Sequence, residues 1–245
     1  MILFASDLDN TLIHSYRKVK AGDVCVEVKD GRELSYMSPE ARALLEEVAG
    51  KCWFVPVTTR SLEQYRRIDL GVQPKYAIVA HGALLLINGR VDEQWAAETR
   101  RVLKTRLPKL KPGALWHDLR YVDEFFIFAK SEDPPQAAHA LGGMIDTDRF
   151  EVYAVHNKVY VIPIGLNKGM ALERLKKRLP VETVIGAGDS RLDLPMLAAA
   201  DLAIAPESLK LIHKAARFFP DEDFALNTLK TVEHFLEVST DLPPP

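Results

Sequence analysis

Short apolar runs alternate with helix-forming stretches along both ends of this chain, and between them the rhythm breaks. Ile2-Leu3-Phe4-Ala5 holds no polar residue, the pattern of a strand buried on both faces of a parallel sheet. Residues 24–28 alternate around Glu27, and Asp30-Gly31 is a hairpin turn signal, which predicts a β-flap over 17–36. Ser38-Pro39-Glu40 offers an N-cap and a first-turn proline for a helix through about Ala49. A strand over 53–57, a short helix capped by Ser61 and a strand over 76–80 follow. Strands that take turns with helices predict a parallel α/β sheet.

After His81-Gly82 the pattern changes. Residues 84–87 read as a strand closed by Asn88-Gly89, 93–107 as a helix and 122–129 as a strand. A helix follows Pro134-Pro135, and 150–155 pairs with 158–162 across His156-Asn157. That is the order of a separate small α+β unit, and Pro163 and Gly165 punctuate its exit. From Lys168 the alternation resumes, with a helix to Arg178, a strand over 183–186, a helix over 194–199 and a strand over 202–204. Helices over 209–215 and 226–237 complete it, and the tail, Asp241-Leu242-Pro243-Pro244-Pro245, cannot continue a helix. The expected fold is α/β: a Rossmann-like parallel sheet core from residues 1–81 and 165–245, with an α+β cap inserted over 82–164.

Composition narrows the partners. Hydrophobic residues make up 47% of the 245, enough for a packed core. The 32 basic and 34 acidic residues leave a net charge of -2, so no global attraction to nucleic acid or an anionic membrane is expected. No apolar run reaches membrane-spanning length, and Met1 to Ala5 is too short for a secretory leader. Cys25 and Cys52 share no CxxC spacing, which argues against a disulfide framework or a zinc site and for a reducing, cytoplasmic setting.

Acidic residues cluster where strands end. Asp7-Leu8-Asp9-Asn10-Thr11 follows the first strand, and one more extended step puts Asp7 and Asp9 on the same side. Open α/β sheets place ligands at the carboxyl ends of their strands. Such a pair repels itself unless a cation intervenes, although the motif alone reads equally as acids opening a surface loop. Gly186-Ala187-Gly188-Asp189-Ser190-Arg191-Leu192-Asp193 follows another apolar strand and adds two more acids, or is a tight turn in which Asp193 caps a helix. Carboxylate oxygens suit a hard cation, with magnesium the best fit. Thr58 and Thr59 end the 53–57 strand with hydroxyls and amides able to cradle phosphate. Lys168 opens a helix, against the helix dipole, which suggests an anion beside it or a solvated side chain.

In order and spacing these four pieces resemble the haloacid dehalogenase superfamily: DxDxT, a strand-end threonine, a lysine opening a helix, then GDxxxD. The insert resembles the C2-type cap of the Cof-type, sucrose-phosphatase-like and mannosyl-3-phosphoglycerate-phosphatase-like branches. His81-Gly82-Ala83-Leu84 looks like the entry to such caps, and Lys168-Gly169-Met170-Ala171-Leu172 like their lysine motif. Leu192 stands where many relatives carry Asn, Thr59 where Gly is usual, and Pro206-Glu207 where Asn-Ala is often found.

The resemblance implies a magnesium-dependent phosphatase acting on a small phosphorylated metabolite, a sugar phosphate above all. Asp7 would be the nucleophile and Asp9 the acid and base. Asp7, the Asp9 carbonyl, Asp189 and Asp193 would serve the metal. Thr58, Thr59 and Lys168 would hold the phosphoryl group. A phosphosugar mutase using the same nucleophile is the alternative, and a non-catalytic binding module a third reading. On the cap, Trp116, His117, Asp118, Arg120, His156, Asn157 and Lys158 are candidate substrate contacts, each of which also reads as a surface or packing residue. The six basic residues between Arg100 and Lys111 read first as the solvated face of a helix, and Phe125, Phe126 and Phe128 as cap core.

Overall fold

The first apolar run is a strand, β1 (Ile2–Ser6), buried from Leu3 onward. The computed structural model describes residues 1–103, 106–210 and 212–240. The flap follows as β2 (His14–Ser15), β3 (Val24–Lys29) and β4 (Arg32–Met37), an antiparallel sheet in the order β2-β4-β3. Ser38 accepts a hydrogen bond from the Ala41 N–H and starts α1 (Pro39–Lys51). β5 (Trp53–Pro56) leads to α2 (Leu62–Tyr65), where Ser61 and Gln64 form a reciprocal capping box. The predicted strand over 76–80 is β6 (Tyr76–Val79). It pairs antiparallel with β7 (Leu84–Ile87), which pairs with β8 (Arg90–Val91), and so stays out of the parallel sheet. One parallel bridge, Val57 to Ile78, ties this small sheet to the end of β5.

The helix expected over 93–107 is α3 (Glu93–Leu103); residues 104–105 lie outside the described residues, and 106–107 are not helical. Pro108 disfavours helical backbone at the residue before it. An unpredicted strand, β9 (His117–Val122), precedes β10 (Phe126–Lys130), which is the strand expected over 122–129. They turn at Asp123 and Glu124, at φ 45° and 66°, where the sequence offers none of the glycine or asparagine that marks such a turn. Next come α4 (Pro134–Gly142), β11 (Phe150–Val155) and β12 (Lys158–Pro163). The four strands form an antiparallel sheet in the order β11-β12-β10-β9. Ile127, Ala129, Val159 and Val161 pack with Ala137 and Leu141 of α4, and the opposite-facing Phe126, Phe128, Tyr160 and Ile162 belong to a separate cluster.

The chain closes with α5 (Lys168–Lys176), β13 (Thr183–Ala187), α6 (Leu194–Ala198), β14 (Leu202–Pro206), β15 (Ala216–Phe219) and α7 (Phe224–Thr240). The helix expected over 209–215 is absent among the described residues there. The His213 ring instead bonds the Ala215 and Ala200 carbonyls, and the chain runs on into β15 beside β14. The predicted tail, 241–245, lies outside the described residues.

All pairings in the core sheet, ordered β15-β14-β13-β1-β5, are parallel. Alternation along β1 serves two helical layers. Phe4 clusters with Leu45 and Val48 of α1 and with Val232 and Leu236 of α7, whereas Leu3 and Ala5 cluster with Leu172 of α5, Met196 of α6 and Trp95 of α3. Each such aliphatic side chain contributes about 1.5–3 kcal/mol when fully buried. The fold is thus a parallel α/β core carrying an inserted α+β cap. Among the described residues no helix is long and apolar enough to cross a membrane.

Candidate active site

Pairing on both edges of β1 leaves its carboxyl end as the floor of the site. Asp7 directly follows the strand, and its N–H donates to the Ala187 carbonyl at the end of β13. The same register brings the second acidic cluster alongside: β1 runs Ser6 against Ala187, and Gly188, Asp189 and Asp193 follow. Carboxylate oxygens of Asp7, Asp189 and Asp193 lie within 4.8 Å of one another. Gly188 permits this approach, because a Cβ there would sit 2.4 Å from the Cβ of Asp193. The Asp193 carboxylate also accepts from the Ser190 N–H and hydroxyl, so it caps the turn while facing the site.

Lys168 is the first residue of α5, behind an Asn167 N-cap. Gly169 lets that end of the helix press on α6, since a Cβ there would meet the Pro195 carbonyl oxygen at 2.3 Å. The Lys168 ammonium is buried and donates to Asp7 Oδ1 at 2.6 Å and to Asp193 Oδ1 at 2.5 Å. Burial alone would lower its pKa, but the charges of Asp193 and Asp7 outweigh this and hold it above its ordinary value. Asp7 shifts upward: burial drives its carboxyl up, Lys168 opposes, and Asp193, Asp189 and Asp9 add to the rise. Burial also raises Asp189, although its bond with His156 works the other way. Three carboxylates with one ammonium between them leave an excess of negative charge. That donor set, all oxygen and crowded, fits a hard divalent cation.

Asp9 has a different partner. Loss of hydration would raise its carboxyl, yet the Arg60 guanidinium beside it holds the group below its ordinary value. Arg60 Nε donates to Asp9 Oδ2 and Nη2 to Asp9 Oδ1, while Nη1 donates to Glu27 on β3. Buried Glu27 also takes Arg67 and the Ser35 hydroxyl, which fastens the flap to the end of β5. Arg60 follows Thr58-Thr59 directly. No motif of its own marks it in the sequence.

Thr58 is fully buried, and its hydroxyl accepts from the Arg60 N–H at 3.1 Å, whereas Thr59 lines the cavity over Asp7. That chamber measures about 560 Å³. Its floor is Asp7, Asp9, Lys168 and Asp189, and the cap supplies Lys130, His156, Asn157, Lys158 and Tyr160. The flap adds Tyr16, Arg17 and Lys18. Of the cap candidates, His156, Asn157 and Lys158 therefore reach the site. His156 turns the β11–β12 hairpin at φ 51°, and its Nε2 lies 3.2 Å from Asp189 Oδ2 and 3.3 Å from Asn10 Nδ2. His117 and Arg120 are exposed on β9 and do not line the chamber. Trp116 is buried under α4, with its indole N–H on the Lys111 carbonyl, and Asp118 pairs with Lys130. Lys130, Tyr160, Arg17 and Lys18 had no distinguishing motif.

At the entry to the insert, His81 is buried at φ 58°, its N–H on the Thr58 carbonyl and its Nδ1 without a hydrogen-bond partner among the described residues. Burial, together with the nearby positive charge of Lys168, pushes its imidazole down to about 3.

Residues 116–217 match the model of the haloacid dehalogenase-like hydrolase family. No curated protein matches the sequence. Among solved structures, the sucrose-phosphatase of Synechocystis sp. PCC6803, in complex with sucrose and phosphate, is 18% identical with a TM-score of 0.65, over 96% of this chain and 97% of that one. A haloacid dehalogenase-like hydrolase from B. subtilis is 17% identical with a TM-score of 0.60, over 94% and 99%. A trehalose-6-phosphate phosphatase related protein is 17% identical with a TM-score of 0.57, over 98% and 99%. At such identities the likeness to these structures is one of fold.

Proposed function

We propose that this chain, haloacid dehalogenase-like by its family match and its fold, is a magnesium-dependent phosphomonoesterase for a small phosphorylated metabolite. The observation that carries the reading is Asp7 on the chamber floor, one oxygen held by Lys168 and two further acids beside it. Lys168 occupies Oδ1, and among the described residues Oδ2 accepts no hydrogen bond.

Asp7 would attack phosphorus as the bond to the leaving oxygen breaks and Asp9 delivers a proton to that oxygen. Asp9, now a carboxylate, would take a proton from water as the water displaces Asp7 and restores its side chain. A phosphate dianion meeting these acids is opposed by about 4 kcal/mol per charge pair at ~4 Å and an effective dielectric near 20. Magnesium held by Asp7, the Asp9 carbonyl, Asp189 and Asp193 would offset that repulsion and stabilise charge on the transferring group. Lys168 would supply the remaining positive charge, and Thr58 and Thr59 would donate to the phosphoryl oxygens. The cap, assigned to residues 82–164 with core 1–81 and 165–245, would exclude bulk water. Free thiols at Cys25 and Cys52 support a cytoplasmic setting.

A phosphate-release screen over phosphorylated metabolites tests this, with activity expected to vanish on chelation and return with magnesium. Single turnover in heavy-oxygen water with the best substrate should place one solvent oxygen in the released phosphate and none in Asp7. Positional isomers without free phosphate would make the enzyme a mutase. Full activity after exhaustive chelation would end the metal assignment.

A further inference from the structure

The acids of the chamber all have partners: Asp7 has Lys168, Asp9 has Arg60 and Asp189 has His156. Its cations do not. Lys130 is paired with Asp118, but among the described residues Arg17, Lys18 and Lys158 have no carboxylate within 4.0 Å. They come from two elements. Arg17 and Lys18 lie on the flap's short helical turn, and Lys158 opens β12 opposite Lys130 of β10. The charges of Lys18 and Lys158 both act on the imidazole of His156, so flap and cap lysines gather about one point of the chamber wall.

Lys158 is the most constrained. Its ammonium lies 5.4 Å from the centre of the Phe128 ring, which faces the chamber side of the sheet beside Tyr160. Burial lowers its pKa; the charge of Asp9 opposes this, and Arg60, Lys130 and Arg120 add to the fall. A half-buried ammonium among like charges costs free energy that an anion placed beside it would return. The phosphoryl group being transferred is not that anion, because on the phosphatase reading its charge would be met on the floor by Lys168 and a cation held by the acids. Arg17 and Lys18 are exposed at the chamber rim, and the half-buried Lys158 between them and Lys130 is what a solvated surface lysine accounts for poorly.

Resting on the phosphatase reading above, we propose that the substrate carries a second anionic group, a carboxylate or another phosphate, on its leaving-group side. Lys158 of the cap and Lys18 and Arg17 of the flap bind that group. The flap, not only the cap, would then select the substrate.

Two matched pairs test this with magnesium present: glycerol 3-phosphate against 3-phosphoglycerate, and fructose 6-phosphate against fructose 1,6-bisphosphate. We expect kcat/KM to be at least about tenfold higher for the doubly acidic member of one pair or both. Which pair responds tells carboxylate from phosphate. That ratio should fall to within about threefold in Lys158→Gln or, should this variant not fold, in Lys18→Gln; a ratio taken within one variant cancels any general loss of activity. A wild-type ratio below about threefold in both pairs overturns the proposal while phosphate release leaves the phosphatase intact, as does a ratio unchanged in both variants. No release from any ester, p-nitrophenyl phosphate included, removes the phosphatase reading and this proposal with it.

Discussion

Arg60 grips the carboxylate of Asp9 at both oxygens, at 2.8 Å from Nε and 2.7 Å from Nη2. A two-pronged guanidinium contact favours an ionised carboxylate. Held so, Asp9 is ready to accept a proton from water but has none to give a leaving group. To act as the acid it must take up a proton and leave Arg60, since a neutral carboxyl forfeits the charge-assisted bonds. The same guanidinium reaches Glu27, so the state of Asp9 is mechanically joined to the flap.

Arg60→Met should lower turnover of p-nitrophenyl phosphate, whose leaving group needs no acid, by about tenfold, because Asp9 loses the clamp that holds it ionised as a base. It should also cost about 2 kcal/mol of stability, because buried Glu27 keeps Arg67 but loses a partner. Steady-state kinetics and denaturant unfolding measure the two effects. Normal turnover in a folded variant would show that the clamp plays no part in catalysis.

Asp7→Asn should abolish turnover yet raise the melting temperature at pH 7 without magnesium. Burial lifts the folded-state pKa of Asp7 above its unfolded value, so the ionised carboxylate costs stability there, and the cost fades as pH falls through the folded pKa. Asparagine removes the charge at all pH values. Magnesium should stabilise the wild type more than the variant. A melting temperature unchanged or lower in the variant would contradict this account of the acid cluster.

His81 should make the fold sensitive to mild acid. Its imidazole is pushed down to about 3 in the folded protein, against an ordinary value of about 6.5. Between those values the unfolded chain binds a proton that the folded chain refuses. Its contribution to stability is therefore complete above pH ~6.5 and lost progressively toward pH ~3. His81→Asn, which tolerates the positive φ, should flatten the fall in unfolding free energy between pH 7 and 4.5. Parallel pH profiles for the two proteins would exclude the effect.

Gly188→Ala should reduce activity by at least about a hundredfold with modest loss of fold. The added methyl can be accommodated only if Asp193 moves, and with it the acid that shares Lys168 with Asp7. Circular dichroism and phosphate release separate the two; wild-type activity would mean that Asp193 is not needed where it stands.

How much of this could be read from the chain depends on how local each signal is. The strand ends carrying Asp7 and Asp189 were readable because apolar run and acid are adjacent in sequence, and Lys168 because its cap, Asn167, precedes it. The strand β9 was missed because its turn puts Glu124, where glycine is usual, after Asp123. Residues 209–219 carry an apolar pattern that suits helix or strand, and the open edge of β14 decided for β15. The clamp on Asp9 joins residues 9, 27, 35 and 60, and the chamber's cations come from residues 17, 18, 130 and 158, so neither has a spacing to recognise.

The position of β1 has a consequence for how the protein is made. Its two neighbours are β5, in register from Trp53, and β13, in register from Thr183. On a ribosome the first strand must wait with one edge bare until residues 183–187 emerge, and closing so long a loop is slow. The strands over 117–163 are contiguous and need no such wait. A bare apolar edge is a template for pairing with other chains. Synthesis thus leaves the floor of the site open to misassembly until residues 183–187 emerge, after the 117–163 strands are already complete.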